Sequence, residues 1–298
     1  MKQEKIYPLA VLLAVAVLQQ FLMGGTFPFA RYVLQRLDPF TVAFIRFCLS
    51  ATILCCLAMK ISRQPGTVPV NRSDRKIIWG LGVLIIICNQ VLYLYGQKYT
   101  TASHGGLIFA TTPVIVYLLA IKYLKEKMKG VRTVGIILTI TGASLIFFER
   151  GIDFNPEYVK GDLIILLAVI AWGYYTVLGK PLVEKYGALR MTAYALGAGT
   201  IIYFPYGLYR TLTADWSQMD GLGWLAIIYI SVGTSVIGYT TWYWLLKQMA
   251  ASRLAVLNNL QPLTAALLGW YYLGETLSGI FIIAFALVVT GIVVTQKA

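Results

Sequence analysis

Long apolar segments, separated by short polar connections, run along the whole chain. A helix that crosses a bilayer needs roughly 20 mostly apolar residues. Backbone N–H and C=O groups cannot stay unpaired in lipid, so each segment is predicted to be helical. We predict ten such helices, at residues 8–30, 40–59, 77–97, 102–122, 131–148, 161–180, 189–209, 221–246, 252–272 and 277–296.

The composition agrees with this pattern. Of 298 residues, 58% are hydrophobic and only 12% are charged, whereas soluble domains are nearer a quarter charged. Ten membrane helices would occupy about two-thirds of the chain and leave no room for a separate soluble domain. The predicted fold class is therefore an all-α membrane protein, and any functional site should lie between its helices.

The net charge of +13 would suggest a nucleic-acid partner in a soluble protein. With a cytoplasmic N-terminus, however, eighteen Lys and Arg residues fall in inside segments, six fall outside, and Arg46 lies within the second helix. This is the positive-inside distribution of membrane proteins. We therefore expect a multi-pass protein of the cell (inner) membrane, with an uncleaved first helix, both termini cytoplasmic and no nucleic-acid partner.

The four cysteines, Cys48, Cys55, Cys56 and Cys88, all lie inside apolar runs. None has the spacing of metal ligands, and neighbouring residues such as Cys55 and Cys56 do not form an ordinary disulfide. The HExxH pattern and paired carboxylates are also missing from the sequence. We expect neither a metal nor a cofactor.

An internal repeat divides the chain into two halves. A shift of 149 residues places 98–146 over 247–295 without a gap, and thirteen of these 49 positions are identical. The identical pairs include Ala102/Ala251, Ser103/Ser252, Pro113/Pro262, Glu126/Glu275 and Gly142/Gly291. We predict two repeats, residues 1–149 and 150–298.

Each predicted half carries five helices. Because five is odd, the two halves must cross the membrane in opposite senses. Inverted repeats are a recurring plan of secondary transporters, with the substrate held between the halves near the midplane. The alternative is a gene duplication without a role in transport.

Several residues together resemble the drug/metabolite transporter superfamily, and most closely its EamA-type exporters with ten helices. They are Met23-Gly24, Trp172-Gly173, Arg46-Phe47 and the Ala-Ser, Pro, Glu and Gly positions shared by both halves. The first half departs from the family pattern by carrying Met23 in place of the usual Trp. The resemblance implies a secondary transporter that moves amino acids or similar small metabolites by alternating access, with export favoured.

Two ionisable residues are candidates for the site. An Arg within a membrane helix costs roughly 2.5–3.5 kcal/mol on insertion scales, so Arg46 is a functional candidate. It would bind a substrate carboxylate or, alternatively, stabilise backbone carbonyls. His104, the single histidine, is a candidate gate or proton site, with an interfacial position as the alternative.

Polar and aromatic residues follow one face of the third and eighth predicted helices at steps of three or four residues: Asn89, Tyr93 and Gln97, then Ser231, Ser235, Gly238 and Trp242. The repeat relates Tyr93 to Trp242, so we expect these two rings to face each other. Trp172 and Tyr175 form a similar pair in the sixth helix. Aromatic walls with a few polar groups suit a metabolite, and packing or interfacial belts are the alternative.

Prolines mark matching positions in the fourth and ninth helices. Asn258, Asn259 and Gln261 precede Pro262, and Thr112 precedes Pro113. Interrupted helices at matching positions of two halves point to a transport site. Amides that join neighbouring helices are the alternative interpretation.

Two other classes of function remain open. A membrane-embedded enzyme could use Ser103 and His104, but adjacent residues on a helix point about 100° apart. A lipid-handling or scaffold protein would gain nothing from burying Arg46. Apart from Asp162 at the very start of the sixth, the predicted spans carry no Asp or Glu, so we expect a uniporter or an exchanger that binds a small molecule.

Overall fold

The structure is a computed structural model that describes residues 7–100, 102–149, 158–264, 267 and 279–297. Within these ranges the chain is helical and contains no β-strand. The helical segments are numbered α1 (Leu9–Leu34), α2 (Pro39–Ser62), α3 (Arg72–Gly96), α4 (Ala102–Phe109 with Thr112–Leu124), α5 (Gly130–Glu149), α6 (Val159–Tyr186), α7 (Ala188–Leu212), α8 (Gly221–Gln248), α9 (Ala251–Ala255 with the 3-10 turn Val256–Asn259) and α10 (Gly279–Lys297).

Seven of these segments (α1 to α4, α6, α8 and α10) are long and apolar enough to cross a membrane. The prediction of a multi-pass, all-helical membrane protein is therefore confirmed. The apolar part of α5 is shorter, Gly130–Leu145, and α7 carries several tyrosines, threonines and two arginines. The predicted ninth helix, 252–272, extends beyond the described residues.

The predicted helix positions agree with the structure, but the ends do not. The α6 helix continues to Tyr186 rather than ending at residue 180, and α3 begins at Arg72 rather than at residue 77. In both cases the added turns carry charged residues. A helix continues into the aqueous interface when its charged side chains reach water there, and the hydropathy pattern detects only the lipid-facing part.

Capping residues set several helix ends. The side chain of Asp38 accepts hydrogen bonds from the backbone N–H groups of Phe40 and Thr41 at the start of α2. The Asp220 side chain does the same for Gly223 at the start of α8, at 2.7 Å. Between α6 and α7, Gly187 has φ = 85°, a conformation that favours glycine and allows an immediate reversal of direction.

Glycines allow close contact between α3 and α7. A Cβ atom on Gly82 would lie 2.5 Å from the backbone nitrogen of Gly199, so neither position has room for a side chain. Small residues of this kind let membrane helices pack backbone to backbone. The α5 and α10 helices meet in the same way at Gly135 and Gly291.

Several contacts between distant helices occur twice, once in each of two equivalent places related by a shift of 149 residues. Four such pairs are Gln19–Gly238 with Asn89–Ala168, Ser50–Ser231 with Gly82–Gly199, Gly24–Thr264 with Gly173–Ile115, and Gly135–Gly291 with Gly142–Ala284. In each pair, moving one residue forward and the other backward by 149 positions gives the second contact. A two-fold exchange of the two chain halves produces this pattern.

Candidate functional site

Two stretches of π-helix interrupt α3 and α8. They cover Val83–Val91 and Tyr229–Gly238, which overlap when the chain is shifted by 149 residues. π-helical turns are rare and occur frequently at functional sites. The first stretch contains Asn89 and Gln90, and the second contains a set of buried hydroxyl side chains. Gln90 of the first stretch and Thr234 and Ser235 of the second contact the guanidinium of Arg46.

Arg46 lies at the centre of the candidate site. Its side chain is buried, with 3% of the residue exposed. It donates hydrogen bonds to Ser235 Oγ (2.8 Å), Gln90 Oε1 (2.8 Å), Thr234 Oγ1 (3.0 Å) and Tyr239 OH (3.4 Å). Gln90 comes from the first half of the chain, and the other three acceptors come from α8.

The acceptors around Arg46 are all neutral. Within the described residues this guanidinium forms no ion pair with a carboxylate. A buried charge is costly unless it is paired and hydrogen-bonded, and here only the hydrogen bonds are provided. A bound anion would supply the missing opposite charge, and a carboxylate matches the fork of an Arg side chain in geometry.

Aromatic rings extend the Arg46 site along α6 and α8. The Trp172 ring centroid lies 5.4 Å from that of Trp242, 5.7 Å from Tyr175 and 5.7 Å from Tyr239. Tyr239 thus contacts both Arg46 and the aromatic group. The structure brings together Arg46, Trp172, Tyr175 and Trp242, four of the residues selected from the sequence.

The indole N–H of Trp242 has a hydrogen-bond partner, whereas the hydroxyl of Tyr175 does not. Trp242 is fully buried, and its indole N–H donates to Thr176 Oγ1 at 3.3 Å. The buried hydroxyl of Tyr175 has no hydrogen-bond partner among the described residues. An unpaired buried hydroxyl is costly.

A chain of amides links Gln261, two residues after the 3-10 turn of α9, to α8 through α1. Gln261 donates to Gln20 Oε1 at 2.7 Å, Gln20 donates to Gln19 Oε1 at 2.7 Å, and Gln19 donates to the Gly238 carbonyl at 3.2 Å. The candidate Gln261 therefore reaches the end of the α8 π-stretch next to Tyr239. Each amide satisfies its neighbour, as buried polar groups require.

Asn89 and Tyr93 lie one turn apart on α3. The Asn89 amide donates to the Ala168 carbonyl of α6 at 2.8 Å, and Gln90 joins it to Arg46. The ring of Tyr93 packs edge-on against Phe109, 4.9 Å between centroids, whereas the described partner of Trp242 is Trp172. The structure gives Tyr93 and Trp242 different aromatic partners, and their face-to-face arrangement stays a prediction.

The remaining candidates lie in the fourth and ninth helices. Thr112 is buried at the interruption of α4 and donates to the Phe109 carbonyl. Asn258 and Asn259 form part of the 3-10 turn in α9, and the buried amide nitrogen of Asn259 has no partner among the described residues. The backbone of His104 belongs to α4, but its side chain lies outside the described part.

Several residues of the site are absent from the sequence-based selection: Gln19, Gln20, Gln90, Thr234 and Tyr239. The two adjacent glutamines of α1 carried a usable signal, because amides within an apolar run are costly unless paired. Tyr239 carried none, since its role depends on how α8 packs against α2. Over the residues that the structure covers, no group of three or more His, Cys, Asp or Glu side chains converges.

Comparisons with known proteins agree with this architecture. A solved crystal structure at 19% identity superposes with a TM-score of 0.80, covering 97% of this chain and 98% of that chain, which shows that the two share a fold. A transporter of Bacillus subtilis named uncharacterized transporter YetK is 24% identical over 276 residues, 92% of this chain and 83% of its own.

Two further relatives cover similar lengths. An uncharacterized transporter of Archaeoglobus fulgidus is 29% identical and spans 89% of both chains. A protein of Streptantibioticus cattleyicolor named a probable terminal-alkyne amino-acid exporter is 25% identical, covering 88% of this chain and 86% of its own. The family profile of the EamA-like transporters matches twice, at residues 9–148 and 159–296. These two matches span nearly the whole sequence, and the chain therefore belongs to the EamA-like transporter family.

Proposed function

We propose that this protein is a secondary transporter that moves a small organic metabolite bearing a carboxylate, such as an amino acid, out of the cell. Ten membrane helices form two inverted halves, residues 1–149 and 150–298, which exchange conformations to expose the substrate alternately to each side. The binding site comprises Arg46, the α3 and α8 polar groups and the Trp172 aromatic group.

The paired contacts at a spacing of 149 residues support the two-half arrangement. The family profile also matches each half separately. Two halves with an odd number of helices are related by an axis in the membrane plane, and inverted repeats of this kind carry alternating access in many transporters. Two alike halves give inward-facing and outward-facing states of comparable energy.

The distribution of Lys and Arg supports an orientation with both termini in the cytoplasm. Gln64 then lies inside and Ser217 outside, and both are exposed. Cysteines placed at these two positions, in a chain without its native cysteines, should react with a membrane-impermeant reagent from opposite faces. Labelling from one face only would overturn the topology.

A single observation carries the substrate class: Arg46 contacts Gln90 and Tyr239, which occupy equivalent positions of the two halves, and no carboxylate pairs with it in the described residues. The guanidinium thus lies where the halves meet, as a substrate between them must. The amino-acid exporter named among the relatives supports both this class and the direction.

Comparing the metabolites of cells and medium, with and without the protein, identifies candidate substrates. The purified protein in proteoliposomes should then exchange a labelled candidate acid against the unlabelled acid, and its carboxamide should compete poorly. Equal competition by acid and carboxamide would exclude carboxylate recognition, and the absence of exchange for every candidate would contradict transport.

A further inference from the structure

A cavity lies apart from Arg46, at the end of the helices where α6 turns into α7. It has a volume of about 500 Å³ and is lined by α1, the end of α2, the α6–α7 turn and the second half of α8. Its lining includes Val15, Ile61, Arg190, Thr240 and Trp244. The proposed orientation places this end of the molecule in the cytoplasm.

Arg190 supplies a buried positive charge to this cavity. Only 6% of the residue is exposed. Its Nη1 donates to the Val68 carbonyl at 3.0 Å and its Nε to Tyr194 OH at 3.4 Å. Nη2 has no hydrogen-bond partner in the described part of the chain. Its N–H groups can therefore donate to a ligand.

Asp74, which contacts the cavity-lining Tyr186, does not neutralise Arg190. Asp74 accepts hydrogen bonds from the Tyr186 hydroxyl at 2.6 Å and from Lys185 at 2.7 Å. No ion pair links Arg190 to a carboxylate among the described residues. Arg190 is therefore a buried cation whose opposite charge is not supplied by these residues.

A second polar group, beside the cavity, is also unpaired. The buried Thr240 hydroxyl has no hydrogen-bond partner in the described ranges. The rest of the lining is mainly apolar: Val15, Ile61 and the indole of Trp244, against which Tyr7 packs edge-on at 5.2 Å. The cavity thus combines apolar walls with an arginine that lacks an opposite charge, and a rotation of the Thr240 side chain would bring its hydroxyl to the cavity as a second donor.

We propose that this cavity is a loading site for a free small carboxylate with an apolar body, an inference that rests on the proposed transport function. Arg190 and Thr240 would bind the carboxylate, and Val15, Ile61 and Trp244 would surround the apolar part. Ligand clefts have volumes of roughly 300–1,000 Å³, so this cavity suits a single metabolite rather than a complete phospholipid. As a loading site, the cavity would hold the carboxylate before the carboxylate reaches Arg46.

The test measures occupancy of the cavity itself. Thr241 also lines the cavity, and a cysteine replaces it in a chain whose native Cys48, Cys55, Cys56 and Cys88 are alanine. The rate at which a water-soluble thiol reagent modifies this cysteine is measured in inside-out vesicles. L-Phenylalanine and hexanoate serve as probes, each compared with its carboxamide.

We expect at least one of the two acids to slow modification at least about threefold, and the carboxamides to have no effect. The substitutions Arg190→Gln and Thr240→Val should each abolish this protection. Arg210→Gln should not, because Arg210 lies at the opposite end of α7 and contacts Asp38. The thermal unfolding temperature verifies that each variant is folded, and Arg190→Lys should restore part of the protection.

Three results would overturn the proposal: no protection by either acid, equal protection by the carboxamides, or protection that survives in a folded Arg190→Gln or Thr240→Val variant. Protection by phosphatidylglycerol alone would identify a lipid site and overturn it as well. Transport is scored separately in proteoliposomes. Flux without protection rejects the loading site and keeps the transporter, whereas protection without flux rejects transport and keeps the binding site.

Discussion

The α3 and α8 helices occupy equivalent places in the two halves, but they present different chemistry to Arg46. Each contains a π-helical stretch, and each contributes one side chain at the same repeat position, Gln90 and Tyr239. Around these positions α3 carries amides, whereas α8 carries Thr234 and Ser235. The two helices share a π-helical stretch at equivalent positions, while the cation comes from one half and most of its acceptors come from the other.

For the proposed transporter, this comparison implies asymmetric recognition of the substrate by two halves that exchange conformations symmetrically. An exchange of two similar backbones requires no identical side chains at the centre. A metabolite with a charged end and an apolar end is better matched by two different surfaces. Substitutions that remove the contribution of α3 or α8 separately test this interpretation.

The largest effect is expected at Arg46 itself, where both helices meet. Removing one partner of a buried, charged hydrogen-bonded group costs about 2–5 kcal/mol, so Arg46→Gln should lower flux of a carboxylate substrate at least about thirtyfold. Flux of a neutral analogue should fall far less. Arg210→Gln, a half-buried arginine near the end of α7, is the matched control. Equal losses for acid and neutral analogue would assign Arg46 a purely structural role.

The contribution of α3 is tested at Gln90. Gln90→Leu removes an acceptor 2.8 Å from the guanidinium, and hydrogen bonds to charged groups contribute about 1.5–3 kcal/mol. We expect flux to fall about tenfold or more. Gln97→Leu, at the residue that follows the end of α3, is the control, because the Gln97 amide nitrogen has no partner in the described residues. Wild-type flux in Gln90→Leu would remove α3 from the site.

The contribution of the Tyr239 hydroxyl should be smaller. Tyr239→Phe keeps the ring against Trp172 and removes only a hydroxyl at 3.4 Å from Arg46. A hydrogen bond of ordinary strength contributes about 0.5–1.5 kcal/mol, so flux should fall about threefold. Tyr203→Phe, which removes a hydroxyl that donates to the Phe40 carbonyl, is the control. A loss larger than that of Gln90→Leu would reverse the assigned order of α3 and α8.

The smallest effect is expected at the start of α8. The hydrogen bond from the Tyr32 hydroxyl lowers the pKa of Asp220, so this link between α1 and α8 is present at neutral pH and is lost as the pH falls through the lowered pKa. The carboxylate is exposed and also contacts Arg36, and such pairs contribute little. Asp220→Asn should change flux less than about twofold.

The measurement for Asp220→Asn is the thermal unfolding temperature as a function of pH. Wild type and variant should differ slightly at neutral pH and converge in acid. A difference that grows as the pH falls would contradict the assigned sign.

The sequence predicted the helices well because apolar runs and loop charges are local properties. It missed the ends of α3 and α6, since charged turns at the interface do not register as apolar. The π-helical stretches were not predictable either, because their residues have the same composition as ordinary membrane helix. Their formation depends on packing between helices rather than on residue type.

The site was predicted in part for a similar reason. Arg46 was identified because a charge within an apolar run is costly wherever it lies. Its acceptors Thr234 and Tyr239 were not, since serine, threonine and tyrosine occur in membrane helices for many reasons. Only the packing of α8 on α2 determines which of them reach a guanidinium some 190 positions away in sequence. The glutamines of α1 were identifiable and were overlooked.

The π-helical stretches in α3 and α8 have a consequence for how these helices can move within a membrane. A π-helical turn contains about one more residue than an α-helical turn, and this extra residue can shift from one turn to the next along the helix. Each step rotates the side chains ahead of it while leaving very few peptide groups unpaired, which a hydrocarbon surrounding requires. Gln90 and Tyr239 could thus rotate away from the guanidinium without either helix melting.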